Sequence, residues 1–372
     1  MRILFVCGSL EPGRDGVGDY ARLLGKSLAH SGNEVMLLSI NDSYQTPARK
    51  LLIEGTRIKI LRISSDWNLN TRCSIAQYGI DIFRPEWVSL QYVPYSFHEK
   101  GLELRLPRFF AALRGNYQWH LMIHEPWVSG GGFLSKNQFI GIVQHKLLRL
   151  LIKKLNPAMI HTSNPYYQSI LEKGGVKSEL LHLPSNIPLP AEEANLLDEE
   201  FRALGLGEES RAEWMVLGTF GRLRPGIDYQ KLLQQVMEFP EASGKRIAFL
   251  SIGNAGPFAH QIFEDIRSTF GNRVLLHEFG YKAIAEVSSF FRFLDFGVAS
   301  VPHYLLGKSG AYAAMRIHRL KILVPEPSEQ NEMKSLDGNS SSFLHKFSDE
   351  DFSSERVAQA MISSLNRAVT SI

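Results

Sequence analysis

The chain has 372 residues, too many for one ordinary core, so two domains are expected. With 44% hydrophobic and 21% charged residues it reads as globular, which excludes a disordered or low-complexity chain. The 41 Lys and Arg against 38 Asp and Glu leave a formal charge of +3 without a concentrated basic stripe, so no nucleic-acid partner is expected.

The first residues, Ile3 to Cys7, read as a strand and not as a signal peptide, because the apolar run is short and no cleavage region follows. No apolar stretch approaches the roughly 20 residues that span a bilayer. A cytoplasmic protein, at most peripheral to the inner membrane face, is the expectation. Cys7 lies in the apolar run and reads as a buried thiol; with Cys73 as the only other cysteine, no disulfide framework or zinc spacing is present, and no metal or bound cofactor is expected.

Short Val/Ile/Leu/Met-rich runs alternate with helix-length amphipathic segments. Strands are predicted at 3–7, 34–40, 58–63, 87–91, 120–124 and 159–162, with helices at 17–31, 71–78, 104–113, 136–155 and 164–173. A proline-rich stretch, Leu183 to Pro190, then leads into the acidic segment 191–213, read as an interdomain crossing with a solvated helix. The rhythm restarts with strands at 215–220, 247–252, 274–276, 296–299 and 322–325 and helices near 228–238, 257–270, 284–291 and 310–318. Residues 326–350 read as loop, and a last helix is predicted near 353–367. This βαβ rhythm predicts an α/β chain of two doubly wound parallel-sheet domains, 1–185 and 186–352, facing across a cleft, with 353–372 a helix that packs back on the first domain.

The turn after the first strand runs from Gly8 to Tyr20. Gly16-Val17-Gly18-Asp19-Tyr20-Ala21 matches the dinucleotide pattern, and Asp42 follows the second strand, but the first glycine comes about eight residues too late for that fingerprint. Gly16 and Gly18 read either as helix-start glycines of a long loop or as positions where amides approach an anion. Asp15 and Asp19 read either as carboxylates favoured by the helix dipole or as cleft-facing acceptor or base groups.

The series Gly16-x-Gly18-Asp19-Tyr20 with Leu24, Leu28, Gly32, Glu34 and Val35 resembles the first βαβ unit of GT-B glycosyltransferases, in particular glycosyltransferase family four. The resemblance recurs at Gln91–Pro94, Ile123–Glu125, Thr162–Asn164, Leu183–Pro188, Gly218–Gly226 and Ser251–Pro257. It implies a GT-B fold, with an acceptor-binding first domain and a second domain that binds a nucleoside-diphosphate sugar as co-substrate. The implied partners are that donor and a saccharide or lipid-linked acceptor. The implied activity is a hexosyl transfer, retaining rather than inverting, in bacterial polysaccharide or glycoconjugate synthesis. No His/Cys cluster appears, so the transfer is expected to be metal-independent.

The residues support this reading on physical grounds. A diphosphate gains charge as its sugar leaves, so cations and amides must face it. Arg222 follows a strand and a glycine at a sheet edge and reads either as a guanidinium that grips phosphate in bidentate fashion or as a surface loop arginine. Lys308-Ser309-Gly310-Ala311 opens a helix after another strand and reads either as a cation added to a positive, anion-binding helix end or as a plain loop with an N-cap serine. Gly307-Lys308-Ser309 is no P-loop, because position 302 is Pro. Gly253, Gly280 and Tyr281 stand where the resemblance places the nucleoside contacts, and Tyr281 reads either as a ring that stacks on the base or as a core-packing tyrosine. His124 at a strand end reads either as a near-neutral proton carrier or as a satisfied core histidine. Tyr95, His98 and Glu125, with Asp15, are candidates for the acceptor.

Two family features are missing. The family's two glutamates, seven residues apart, have no counterpart, since no Glu lies between Glu286 and Glu326, and the lysine after the Arg222 position is replaced by Arg224 at best. Helix 136–155, with Lys146, Arg149, Lys153 and Lys154 among leucines, reads either as a helix packed on its sheet or as a contact to an anionic membrane. An NAD(P)-dependent oxidoreductase using Gly16, Gly18 and Asp42, and a catalytically silent nucleotide-binding protein, are the alternatives.

Overall fold

A computed structural model describes residues 1–44, 50–54, 58–128, 136–190, 195–326 and 352–370. The chain divides into two compact units, Met1–Pro184 with Ser354–Ile372, and Ser185–Ser353.

The first unit carries β1 (Arg2–Cys7), α1 (Gly16–His30), β2 (Glu34–Asp42), β3 (Lys50–Glu54), β4 (Ile58–Ser64), α2 (Leu69–Phe83), β5 (Trp87–Tyr92), α3 (Leu106–Ala112), β6 (Gln118–Ile123), α4 (Lys136–Leu155), β7 (Met159–Thr162), α5 (Pro165–Lys173) and β8 (Glu179–Leu180). Its sheet has the order β3-β4-β2-β1-β5-β6-β7-β8. All neighbours are parallel except the β3–β4 pair. Burial on both faces explains the continuous apolar runs of β1, β2 and β5. Leu4, Val6, Val88 and Leu90 pack under α2, α3 and α4, whereas Ile3, Phe5 and Trp87 point to α1.

The second unit carries α6 (Asp198–Ala203), β9 (Trp214–Phe220), α7 (Tyr229–Met237), β10 (Arg246–Ile252), α8 (Ala259–Phe270), β11 (Val274–Glu278), α9 (Ile284–Phe293), β12 (Phe296–Val298), α10 (Gly310–Ile317) and β13 (Lys321–Leu323). Its five strands are all parallel, in the order β11-β10-β9-β12-β13. Helices α7 and α8 cover one face; α6, α9 and α10 cover the other. The last helix, α11 (Ser354–Thr370), belongs to the first unit, where Val357, Met361 and Leu365 pack with Leu24 and Leu28 of α1. Two doubly wound α/β units are therefore present.

Three details depart from the predicted elements. Strand β3 was not expected, because a five-residue edge strand leaves too short a pattern to separate from loop. The two-residue β8 was missed for the same reason. Helix α6 is not simply solvated: Glu199 is exposed, but Asp198 and Glu200 are half-buried, Lys282 donates to Glu200 Oε1 at 2.6 Å, and Phe201 is buried and stacks on Phe293 with ring centroids 3.6 Å apart. Residues 191–194 of the acidic segment, and the predicted loop 326–350 apart from Glu326, lie outside the described residues.

Candidate functional site

In an open parallel sheet, ligands bind beyond the carboxyl ends of the strands, where the strand order reverses. In the second unit that reversal lies at β9, which has β10 on one side and β12 on the other. Strand β9 runs into Gly221 at φ 78°, whose N–H donates to the Ile252 carbonyl at 2.9 Å. Leu223 is buried, and its N–H donates to the Ala255 carbonyl at 2.9 Å. Between these two anchors Arg222 is exposed, and its stem lies over Gly256, where a β-carbon would stand 3.3 Å from Arg222 Cγ. Arg224 is also exposed and donates its N–H to the Tyr229 hydroxyl at 3.2 Å.

On the other side of the reversal, Thr219 Oγ1 and Ser300 Oγ share a hydrogen bond of 2.8 Å that ties the ends of β9 and β12 together. The chain then makes a 3-10 turn over His303–Lys308, and Ser309 caps α10 by accepting the Tyr312 N–H at 3.2 Å. Lys308 is half-buried immediately before that positive helix end, with Gly310 and Ala311 opening the helix. The two sequence-predicted cations therefore stand on the two loops that flank one strand-order reversal.

The next strand ends form a ledge. The Gly253 N–H donates to the Gly280 carbonyl at 2.7 Å, and the Phe279 N–H donates to the Ser251 carbonyl at 2.8 Å. Both glycines have positive φ, 88° and 67°, which an L side chain rarely adopts. Phe279 is buried while Tyr281, two residues on, is 90% exposed. The Gly253 amide and the Gly280 carbonyl are thus engaged with each other, and Tyr281 is the open group of the three.

The first unit has its own reversal, at β1 between β2 and β5. Here the expectation of an anion site at Gly16 and Gly18 is corrected. Asp15 caps α1 and accepts the Val17 and Gly18 N–H groups at 2.8 and 3.0 Å, so a carboxylate already occupies the helix end a phosphate would need. Burial raises the Asp15 pKa against these two amide bonds. The Asp19 carboxylate accepts the Gly13 N–H at 3.0 and 3.2 Å, so it closes the turn rather than standing as an unengaged base. Gly18 is a packing glycine: a β-carbon would stand 2.4 Å from the Ser9 carbonyl oxygen.

Asp42 is fully buried and is held by Arg62 Nε at 2.8 Å and Nη2 at 2.9 Å, by the Leu10 N–H at 3.1 Å and by Ser39 Oγ at 3.0 Å. Burial alone would raise its pKa; the Arg62 and backbone bonds outweigh it and hold the group lowered. Arg62 also reaches Glu11 at 2.5 Å. This Asp42–Arg62–Glu11 network fastens the loop after β1, and it removes the carboxylate an oxidoreductase would use for a ribose. Sequence reading missed it, because Arg62 and Asp42 are joined only by strand pairing.

His124 departs from the near-neutral proton carrier. It is buried, its Nε2 donates to Gln91 Oε1 at 2.9 Å, Tyr20 meets it edge-on, and burial lowers its pKa to about 3. It heads an unanticipated chain through the core. Gln91 Nε2 donates to Ser89 Oγ at 2.7 Å, Ser89 Oγ meets His120 Nδ1 at 2.8 Å, and His120 Nε2 meets His161 Nδ1 at 2.9 Å. With the Gln91 carbonyl oxygen accepting, one set of neutral tautomers satisfies every link in turn.

Among the acceptor candidates, Tyr95 is 45% exposed in a 3-10 turn after β5, and His98 is exposed with Nδ1 accepting the Lys100 N–H at 3.1 Å. Glu125 is half-buried just past β6. These three follow β5 and β6, next to the β1 reversal. Among the described residues no group of three or more His, Cys, Asp or Glu is placed to hold a metal ion, and no helix is long and apolar enough to cross a membrane.

No protein-family description and no curated protein matches the sequence. Solved structures do match in fold. Sucrose-phosphate synthase from Thermosynechococcus elongatus superposes with a TM-score of 0.56 at 13% identity, over 87% of this chain and 81% of that one. A glycosyltransferase from Rickettsia africae gives 0.52 at 12% identity over 98% and 88%, and the UDP-forming α,α-trehalose-phosphate synthase from Burkholderia vietnamiensis gives 0.50 at 12% over 87% and 84%. The fold is that of GT-B glycosyltransferases: two Rossmann-like units in one chain.

Proposed function

We propose that the protein is a glycosyltransferase that moves a hexose from a nucleoside-diphosphate sugar to a hydroxyl of a saccharide or lipid-linked acceptor. The observation that carries this reading is the pairing of Arg222 and the Lys308–Ala311 helix start on the two loops flanking the β9 strand-order reversal. As the sugar–phosphate bond breaks, negative charge collects on the departing diphosphate. A guanidinium, an ammonium and a helix end aimed at that charge stabilise the transition state more than the bound donor. Tyr281 offers its exposed ring to the base, since stacking needs an open aromatic face.

The first unit takes the acceptor, with Tyr95, His98 and Glu125 as its contacts. The two candidate protein bases there, Asp19 and His124, are each engaged, and a ring with a pKa of about 3 is a poor base at neutral pH. This favours the retaining course, in which the leaving diphosphate receives the acceptor proton. The bacterial polysaccharide or glycoconjugate setting follows from the motif resemblance.

Calorimetric titration with UDP, GDP and ADP tests the donor site. Arg222→Ala and Lys308→Ala should each weaken binding about 10- to 100-fold, the loss of one charge-assisted phosphate contact. Unchanged affinity in both variants refutes the assignment. Nucleotide binding without release of nucleoside diphosphate from any of a panel of sugar donors and acceptors would instead identify a silent binding protein.

A further inference from the structure

Helix α4 turns two different stripes outward and inward. Gly141, Gln144, Leu148, Leu151 and Leu155 are buried, at alternating steps of three and four residues. Gln144 fixes that side: its Oε1 accepts the Val128 N–H at 2.8 Å and its Nε2 donates to the Lys100 carbonyl at 3.1 Å. On the opposite side Phe139, Ile142 and Leu150 are 67%, 49% and 42% exposed. Lys146, Arg149 and Lys153 are exposed on the same stripe, and Lys136 to Leu155 contain no acidic residue. Arg108 of the adjoining α3 adds an exposed charge of the same sign.

Single exposed apolar side chains are ordinary, but three on one stripe interleaved only with cations demand a surface that accepts both. A second copy across a two-fold axis would set these cations against one another. A nucleic-acid backbone would satisfy the cations and leave Phe139 and Ile142 without a partner. An anionic lipid surface meets both needs, since the acyl boundary takes the apolar groups and the headgroups take the charges.

We infer that the outer face of α4 is a docking surface for an anionic lipid bilayer, on which the helix lies in the interfacial plane. This inference does not depend on the transferase reading, and nucleotide titration without vesicles separates the two. The test is flotation of the full chain with phosphatidylcholine vesicles and with vesicles containing about one third phosphatidylglycerol. Binding is expected only to the anionic vesicles and should fall sharply at roughly 0.5 M salt, where the screening length is a few ångströms. The triple change Lys146→Gln, Arg149→Gln, Lys153→Gln should weaken partitioning about 100-fold, and Phe139→Ser, Ile142→Ser, Leu150→Ser about 10-fold or more.

Equal binding to neutral vesicles, absence of binding to anionic ones, or indifference to either triple change overturns the inference. So does dimerisation abolished by the apolar changes, or duplex DNA binding abolished only by the charge changes. If a triple variant does not fold, Phe139→Trp supplies a second readout: because the chain already holds five tryptophans, the emission added by the substitution, taken as the difference between variant and parent, should shift to the blue on anionic vesicles, and an unshifted difference spectrum overturns the lipid surface.

Discussion

Gly18 and Gly16 stand two residues apart at the start of α1, yet they do different work. A β-carbon on Gly18 would meet the Ser9 carbonyl at 2.4 Å, whereas one on Gly16 would meet nothing within 4 Å. Gly18→Ala should therefore push α1 off the loop and cost about 1–3 kcal/mol. Gly16→Ala should be within about 0.5 kcal/mol of the parent, as for surface substitutions generally. Urea denaturation of the two variants checks the contrast, and equal losses would mean that the loop after β1 yields freely. Asp15 shows the same logic in charge: a residue that looks ready to face a substrate spends both its hydrogen bonds on its own helix. Arg222 differs because its two neighbours are anchored and its own head is left to solvent.

At the scale of elements, β5, β6 and β7 carry the buried chain His124–Gln91–Ser89–His120–His161. All three rings are held below the ordinary imidazole value, chiefly by burial: His124 to about 3, His161 to about 4, and His120 well below it. As the pH falls, the unfolded chain binds these protons before the folded chain does. The stability tied to the neutral rings is complete above about 6.5 and is lost as the pH falls from there through about 4 and about 3. The urea midpoint should drop steadily from pH 7 to pH 4.5, and a His161→Gln variant should show a shallower drop. An identical slope in parent and variant would show that His161 contributes nothing to it.

Strand runs such as Arg2–Cys7 and Trp214–Phe220 were legible in the sequence because a parallel strand buried on both faces needs an unbroken apolar run. Edge strands β3 and β8 were not, since their length erases the pattern. The histidine chain was not legible either. Three of its four links join residues 31 to 41 positions apart, which meet only through strand register.

On the scale of the whole molecule, the chain completes most of one unit, builds a second from Ser185 to Ser353, and returns to the first with α11. The first unit therefore depends on a helix at the far end of the chain. Met361 is fully buried among α1 residues, so Met361→Ala should cost the first unit about 2–5 kcal/mol and leave the second unit's stability unchanged. Segment-resolved hydrogen exchange distinguishes the two units. Equal loosening of both would show that they unfold as one.

Periodicity and turn chemistry by themselves determined two βαβ rhythms, the glycines at strand ends and the positions of Arg222 and Lys308, because these are local properties of short windows. Tertiary structure decided which of those positions remain open to a ligand. The same Asp, His and Gly residues that read as site groups in sequence are consumed by caps, buried hydrogen bonds and close packing once β1, β2, β5 and α1 are assembled. Strand order, set by pairings between distant segments, placed the two cations at one reversal and turned the basic, apolar stripe of α4 away from its sheet.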